Sequence, residues 1–235
     1  MGKIQLFCLP YAGGTSHIYF EWKHKLVSDI EVIPIEYKGH GRFYGYKLYD
    51  SIDDASSDIC QQIASKIKGE YVIYGHSLGS ILALETTYRL LHSGCRMPNK
   101  LILAGVRPPH LIHKDKKYVH LSKEEFMNEV IMLGQTPQEV LDSEELLDYS
   151  YEVLFADFKI IERYSPQNLP VKLDIPIVVL SGDQDEEAPE ADMREWSNYT
   201  SKTAKLYILE GDHFFAFNNN RSFFQLLNDI TMRDY

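Results

Sequence analysis

The chain has 235 residues, 44% of them hydrophobic and 12% aromatic, enough apolar material for one sizeable buried core. No uninterrupted apolar run approaches the roughly 18 residues of a membrane-crossing helix, so no membrane association is expected. A formal net charge of -10 argues against nonspecific nucleic-acid binding and against docking on an anionic membrane.

Residues 3–9 read as a continuous apolar strand, which leaves no room before it for a secretory leader. The strand ends at Pro10-Tyr11-Ala12-Gly13-Gly14, a loop that can bring bare backbone close to a ligand. Residues 18–28 show helical spacing, residues 31–37 form the next strand, and Gly39-His40-Gly41-Arg42 closes it. Residues 51–68 form an amphipathic helix with Ile52, Ala55, Ile59, Ile63 and Ile67 on one stripe. A strand at 71–75, a helix at 78–92 stopped by Gly94, and a strand at 100–105 follow. This alternation predicts an α/β fold: a mostly parallel sheet with helices on both faces.

Residues 107–170 break the alternation. Ser122 and Glu125 make a capping box before Phe126, Val130 and Leu133, while Thr136, Pro137 and Glu139 mark a second helix start. A third stripe runs through Leu147, Tyr151, Leu154, Phe158 and Ile161. We read residues 1–235 as a single domain and 107–170 as a helical lid insertion covering the C-terminal edge of the sheet. The core resumes with a strand at 175–181, a helix near 190–198, a strand at 204–209 and a terminal helix at 222–232. Cys8, Cys60 and Cys95 are odd in number and widely spaced, the pattern of reduced thiols in a cytoplasmic protein.

Gly75-His76-Ser77-Leu78-Gly79 falls at the junction of a strand and a helix. A serine hydroxyl attacks carbonyls only when it stands clear of the backbone beside a base and free amides, and two glycines permit the tight turn that places it so. In this architecture the acid and the histidine follow the serine in that order. Of nine histidines, only His213 lies after His120, so it is the candidate base for Ser77. Asp185 is the favoured acid because it sits deeper in its loop, with Asp183 or a neighbouring glutamate as alternatives. Asp212 reads as a turn residue. The oxyanion amides are expected from Leu78 and from Ala12, or from Tyr11 if the loop register differs by one. His76 reads as an elbow packing residue and His40 as a loop hydrogen-bonder. His110 and His113 lack partners at zinc-like spacing, no nucleotide motif appears, and no cofactor or metal is expected.

Taken together, Leu9-Pro10-Tyr11-Ala12-Gly13-Gly14, Gly39-His40-Gly41-Arg42, Gly75-His76-Ser77-Leu78-Gly79, Arg107-Pro108-Pro109, Gly182-Asp183-Gln184-Asp185 and Gly211-Asp212-His213-Phe214 resemble the type II thioesterases of nonribosomal peptide and polyketide synthases. The likeness covers nearly the whole chain. It departs from the usual pattern where Lys38 stands in place of a proline and Leu78 in place of a methionine. The resemblance implies an α/β-hydrolase fold and a nucleophile, acid and base at Ser77, Asp185 and His213. It also implies hydrolysis of acyl thioesters on the phosphopantetheine arms of acyl- or peptidyl-carrier domains, by a chain expected to act as a monomer. Arg107, Lys114, Lys116 and Lys117 oppose only Asp115, and this local positive excess is a candidate carrier-docking patch in an otherwise acidic chain. A carboxylesterase acting on oxygen esters would use the same three residues, and an idle hydrolase fold serving as a binding partner is the third reading.

Overall fold

Six strands, β1 (Ile4–Leu9), β2 (Ile30–Pro34), β3 (Tyr71–His76), β4 (Lys100–Ala104), β5 (Ile177–Gly182) and β6 (Ala204–Leu209), pair into one sheet. Their order is β2-β1-β3-β4-β5-β6, and every pairing is parallel. The computed structural model describes residues 2–112, 118–133, 142–166, 171–218 and 220–233. Among these lie seven α-helices: α1 (Trp22–Lys25), α2 (Ile52–Ala64), α3 (Leu78–His92), α4 (Lys123–Leu133), α5 (Glu144–Arg163), α6 (Glu190–Met193) and α7 (Arg221–Met232).

The inner strands are apolar at nearly every position because both faces of the sheet are covered. Alternate residues divide between two cores. Phe7, Leu9, Ile73, Leu101 and Leu103 pack with Ala55, Ile59 and Ile63 of α2 and Ile81 and Leu84 of α3. Leu6, Cys8, Val72, Tyr74 and Ile102 pack on the other side with Trp22 of α1 and Phe223, Leu227 and Ile230 of α7. The helix α2 starts where Ser51 accepts a hydrogen bond from the Asp54 amide, and Asp53 and Asp54 complement its positive end. All three thiols are free, with Cys8 and Cys60 buried.

The helix expected over 18–28 is instead a 3-10 turn at Ser16–Tyr19 followed by the single-turn α1. Tertiary docking overrides the helical spacing here. Tyr19 and Trp22 are buried, and the Tyr19 hydroxyl donates to the Leu9 carbonyl at 2.8 Å. The segment near 190–198 divides likewise into α6 and a 3-10 stretch, Arg194–Tyr199, where the Trp196 indole N–H donates to the Val106 carbonyl. Proline sets two strand ends: β2 stops at Pro34, and β5 opens after Pro176.

The excursion between β4 and β5 carries α4 and α5. Ser122 and Glu125 form the expected reciprocal cap, with the Ser122 amide donating to Glu125 and the Glu125 amide donating to Ser122. Phe126, Met127 and Val130 make a small core of their own against Tyr118, Leu147, Tyr151 and Phe158. The helix start expected at Thr136, Pro137 and Glu139 lies outside the described residues. No helix among the described residues is long and apolar enough to cross a membrane.

The chain runs from β1 outward to β2 and then returns past β1 to β3. Strand order therefore reverses between β1 and β3. In open α/β sheets, ligands sit outside the carboxyl ends of the strands at such a point. The two segments that leave the sheet there are the Pro10–Gly14 loop and the turn at Ser77.

Candidate active site

Ser77 is the link between β3 and α3. Its backbone stands at φ 53 and ψ -119, the one positive-φ residue other than glycine among the described residues. Such a conformation is costly for a side-chain-bearing residue and persists only where its surroundings over-determine it. Here the Ser77 amide donates to the Ala104 carbonyl at 2.8 Å. Ser80 adds a second tie, its hydroxyl bonding the Gly75 and Ala104 carbonyls and accepting from the Ala104 amide. Both elbow glycines are sterically required. A Cβ on Gly75 would lie 2.2 Å from the Gly79 carbonyl oxygen, and one on Gly79 would lie 2.2 Å from that of Leu9. Leu78 opens α3, so its N–H belongs to the first turn, whose amides have no intrahelical acceptor.

Two loops from neighbouring strand ends meet beside this turn. Asp185, in the loop after β5, is buried, and both its carboxylate oxygens stand 3.1 Å from His213 Nδ1. The Glu187 amide donates to Asp185 Oδ1 at 3.0 Å and fixes the carboxylate. Burial opposes ionisation of Asp185, but the hydrogen bond and charge of His213 outweigh it and hold its carboxyl below the usual range. With Nδ1 donating to Asp185, the Nε2 lone pair of His213 is the one left to take a proton. Asp183 does other work, accepting the Gly211 amide at 2.9 Å. Asp212 holds its own turn by accepting the Phe214 amide at 2.8 Å.

His76 is fully buried behind this pair. Its Nε2 faces the His213 carbonyl at 2.8 Å and must donate to it, so Nδ1 accepts from the Tyr74 hydroxyl at 3.0 Å. Burial, reinforced by the neighbouring His213, pushes its pKa down to about 3. His76 is therefore a neutral imidazole with a fixed tautomer, packed against Phe214, Phe215 and Phe217.

Two cavities open from Ser77 and His213. The larger, about 560 Å³, is bounded by Ala12, Gly13 and Gly14 and by Val130, Leu133, Val153, Leu154 and Phe158 of α4 and α5. The smaller, about 260 Å³, is bounded by Ala12, Leu78, Arg107, Ile112 and Glu187. Ala12 thus borders both cavities beside Ser77, while Tyr11 makes edge contacts with His76, Phe214 and Phe217. Arg107 lies in the wall of the smaller cavity, 3.0 Å from Asp192. Lys114, Lys116 and Lys117 lie outside the described residues, as does His113. His110 contacts the Tyr199 hydroxyl at 3.0 Å.

Two buried carboxylates here escaped the sequence reading. Glu36 accepts from both the amide and the hydroxyl of Ser16 and lies against Gly41, bracing the two loops that flank the larger cavity. Asp157, on α5, meets His40 and the Gly13 amide. Each interrupts an apolar run, Glu36 between Ile35 and Tyr37 and Asp157 on the stripe of Leu154 and Ile161. A lone acid at a core position was the available signal.

A thioesterase-domain family model matches residues 4–231. Thioesterase PikA5 of Streptomyces venezuelae is 28% identical over 229 residues, covering 97% of this chain and 80% of that protein. Among solved structures, ClbQ from the colibactin NRPS/PKS pathway superposes with a TM-score of 0.91 at 31% identity, covering 97% of this chain and 96% of that one. YbtT, a type II thioesterase from the yersiniabactin NRPS/PKS pathway, gives a TM-score of 0.87 at 26% identity, covering 96% and 92%.

Proposed function

The chain belongs to the thioesterase family, and from that premise we propose that it cleaves acyl thioesters from the phosphopantetheine arms of carrier domains, with Ser77, His213 and Asp185 as its catalytic set. The observation that carries this reading is the strained Ser77 sharing two cavities with a His213 whose Nδ1 is held by buried Asp185. His213 Nε2 takes the Ser77 proton as Oγ attacks the thioester carbonyl. The amides of Ala12 and Leu78 hold the oxyanion, aided by the positive end of α3. The thiol departs, and His213 then activates water to free the acid from acyl-Ser77.

Residues 107–170 act in this reading as a lid, because α4 and α5 supply the apolar wall over Ser77. The larger cavity receives the acyl group. Its apolar lid wall suits hydrocarbon better than a charged aminoacyl group. The names of the relatives place ClbQ and YbtT in NRPS/PKS pathways, which supports carrier-borne substrates and a part in removing misprimed or stalled groups. Arg107 with Lys114, Lys116 and Lys117 is the proposed receiving face for the acidic carrier or its phosphate.

Paired substrates test the reading. The same acyl chain is presented as a carrier thioester and as a simple oxygen ester, and kcat/KM for the carrier thioester should be the greater by at least tenfold. Preference for the oxygen ester would identify a carboxylesterase instead.

A further inference from the structure

The helix α5 also holds the loop at the end of β1. Asp157, 3% exposed, uses one oxygen, Oδ2, for two contacts: it accepts the Gly13 N–H at 2.8 Å and lies 3.0 Å from His40 Nε2. The other ring nitrogen of His40 faces the Lys38 carbonyl at 3.1 Å and must donate to it. Both nitrogens of His40 therefore face acceptors, a geometry that favours the doubly protonated ring. Burial works against that cation, but the charge and hydrogen bond of Asp157 outweigh it and raise the His40 pKa. One turn away, Leu154 meets the same glycine: a Cβ on Gly13 would lie 2.5 Å from Leu154 Cδ2. Residues three apart share a helix face, so a charge-assisted hydrogen bond and an apolar contact fall together on Gly13. Tyr149, on the same helix, donates to the Gly39 carbonyl at 3.1 Å and ties α5 to the His40 loop.

Gly13 directly follows Ala12, and its φ of 74 is open to few residues other than glycine. The peptide between them is pinned at the Gly13 nitrogen by Asp157, and it adjoins, across the Ala12 Cα, the peptide that carries the Ala12 N–H. We propose that Asp157 is a positioning residue that latches the helix α5 to the oxyanion loop, so that the seat of the lid and the aim of the Ala12 amide are set by one carboxylate. The inference rests on the thioesterase reading of Ser77 and Ala12. It adds that the lid is mechanically part of the catalytic centre: a lid lifted from Gly13 leaves the oxyanion loop unpinned, and closure restores it.

The test measures hydrolysis of a soluble acyl N-acetylcysteamine thioester by the wild type, Asp157→Ala and Asp157→Asn, with amide hydrogen exchange of residues 10–14, α5 and β3. Asp157→Ala should lower kcat on the order of tenfold to a hundredfold, the scale of misplacing a catalytic group, with KM changed by less than about threefold. Exchange should quicken at residues 10–14 and in α5 while β3 stays as protected as in the wild type. Asp157→Asn keeps an oxygen for Gly13 and should recover kcat to within about fivefold of the wild type. If Asp157→Ala does not fold, Asp157→Leu combined with His40→Leu removes both partners and leaves neither buried alone, and the same readouts apply. Wild-type kcat and wild-type exchange at residues 10–14 in the folded alanine or double-leucine variant would overturn the latch. So would loosening of β3 equal to that of the loop. A wild type inert toward the thioester would instead sink the catalytic reading, while the exchange measurements still decide the latch.

Discussion

His76 should make the protein acid-sensitive in a calculable way. Its pKa is about 3 in the folded chain against an ordinary 6.5, so folding excludes a proton that the unfolded chain takes up readily. The folded value is the lower one. The stability cost therefore appears as pH falls below 6.5, grows, and levels off near pH 3. The full difference of about three and a half units corresponds to about 5 kcal/mol, at about 1.36 kcal/mol per unit. Between pH 7 and pH 5 the folded imidazole stays neutral while the unfolded one becomes almost wholly charged, which removes about 2 kcal/mol. Asp185, held below its ordinary value, stays ionised across that window, and His40 shifts the opposite way in any protein that retains it. His76→Gln isolates the effect, since glutamine can still donate to the His213 carbonyl and accept from Tyr74 without titrating. Urea unfolding of both proteins at pH 7 and pH 5 gives four stabilities, and constant offsets between the proteins cancel. The wild type should lose about 2 kcal/mol more than the variant on acidification. Parallel losses would show that His76 takes up its proton in the folded chain, and the neutral, fixed-tautomer description would be wrong.

Gly79→Ala should lower Tm by roughly 6–12 °C, the effect of about 3 kcal/mol of overpacking, because its Cβ would meet main-chain atoms of Leu9 and Pro10. Gly69→Ala, with nothing within 4 Å of its Cβ, should melt with the wild type in the same thermal scan. Reversing Lys114, Lys116 and Lys117 to Glu should slow turnover of carrier-bound acyl groups at least about tenfold at low salt while sparing a small free thioester, and the gap should close as salt is added. Equal effects on both substrates would discard the docking patch.

The sheet was legible because its inner strands are buried on both faces and read as apolar runs bounded by glycine and proline. The elbow was legible because only glycine fits the 2.2 Å approaches on either side of Ser77. Its deeper place in the loop favoured Asp185 over Asp183 without excluding the latter, and the structure brings Asp185 to His213 while the Gly211 amide takes up Asp183. The segment around Tyr19 and Trp22 was misread because helical spacing cannot report that two aromatic side chains dock separately on the sheet. Asp157 and Glu36 were overlooked for a related reason: the loops they hold are distant in the chain, and spacing within one helix or strand says nothing of them.

The central claim is that Ser77 removes acyl groups from carrier-bound thioesters. Intact-mass analysis of acyl-phosphopantetheinyl carrier proteins incubated with the wild type and with Ser77→Ala tests it most directly. The wild type should return the carrier to its free-thiol mass, and Ser77→Ala should leave the acylated mass in place. Deacylation by Ser77→Ala at the wild-type rate, or acyl carriers left intact by a wild type that hydrolyses oxygen esters, would contradict the account.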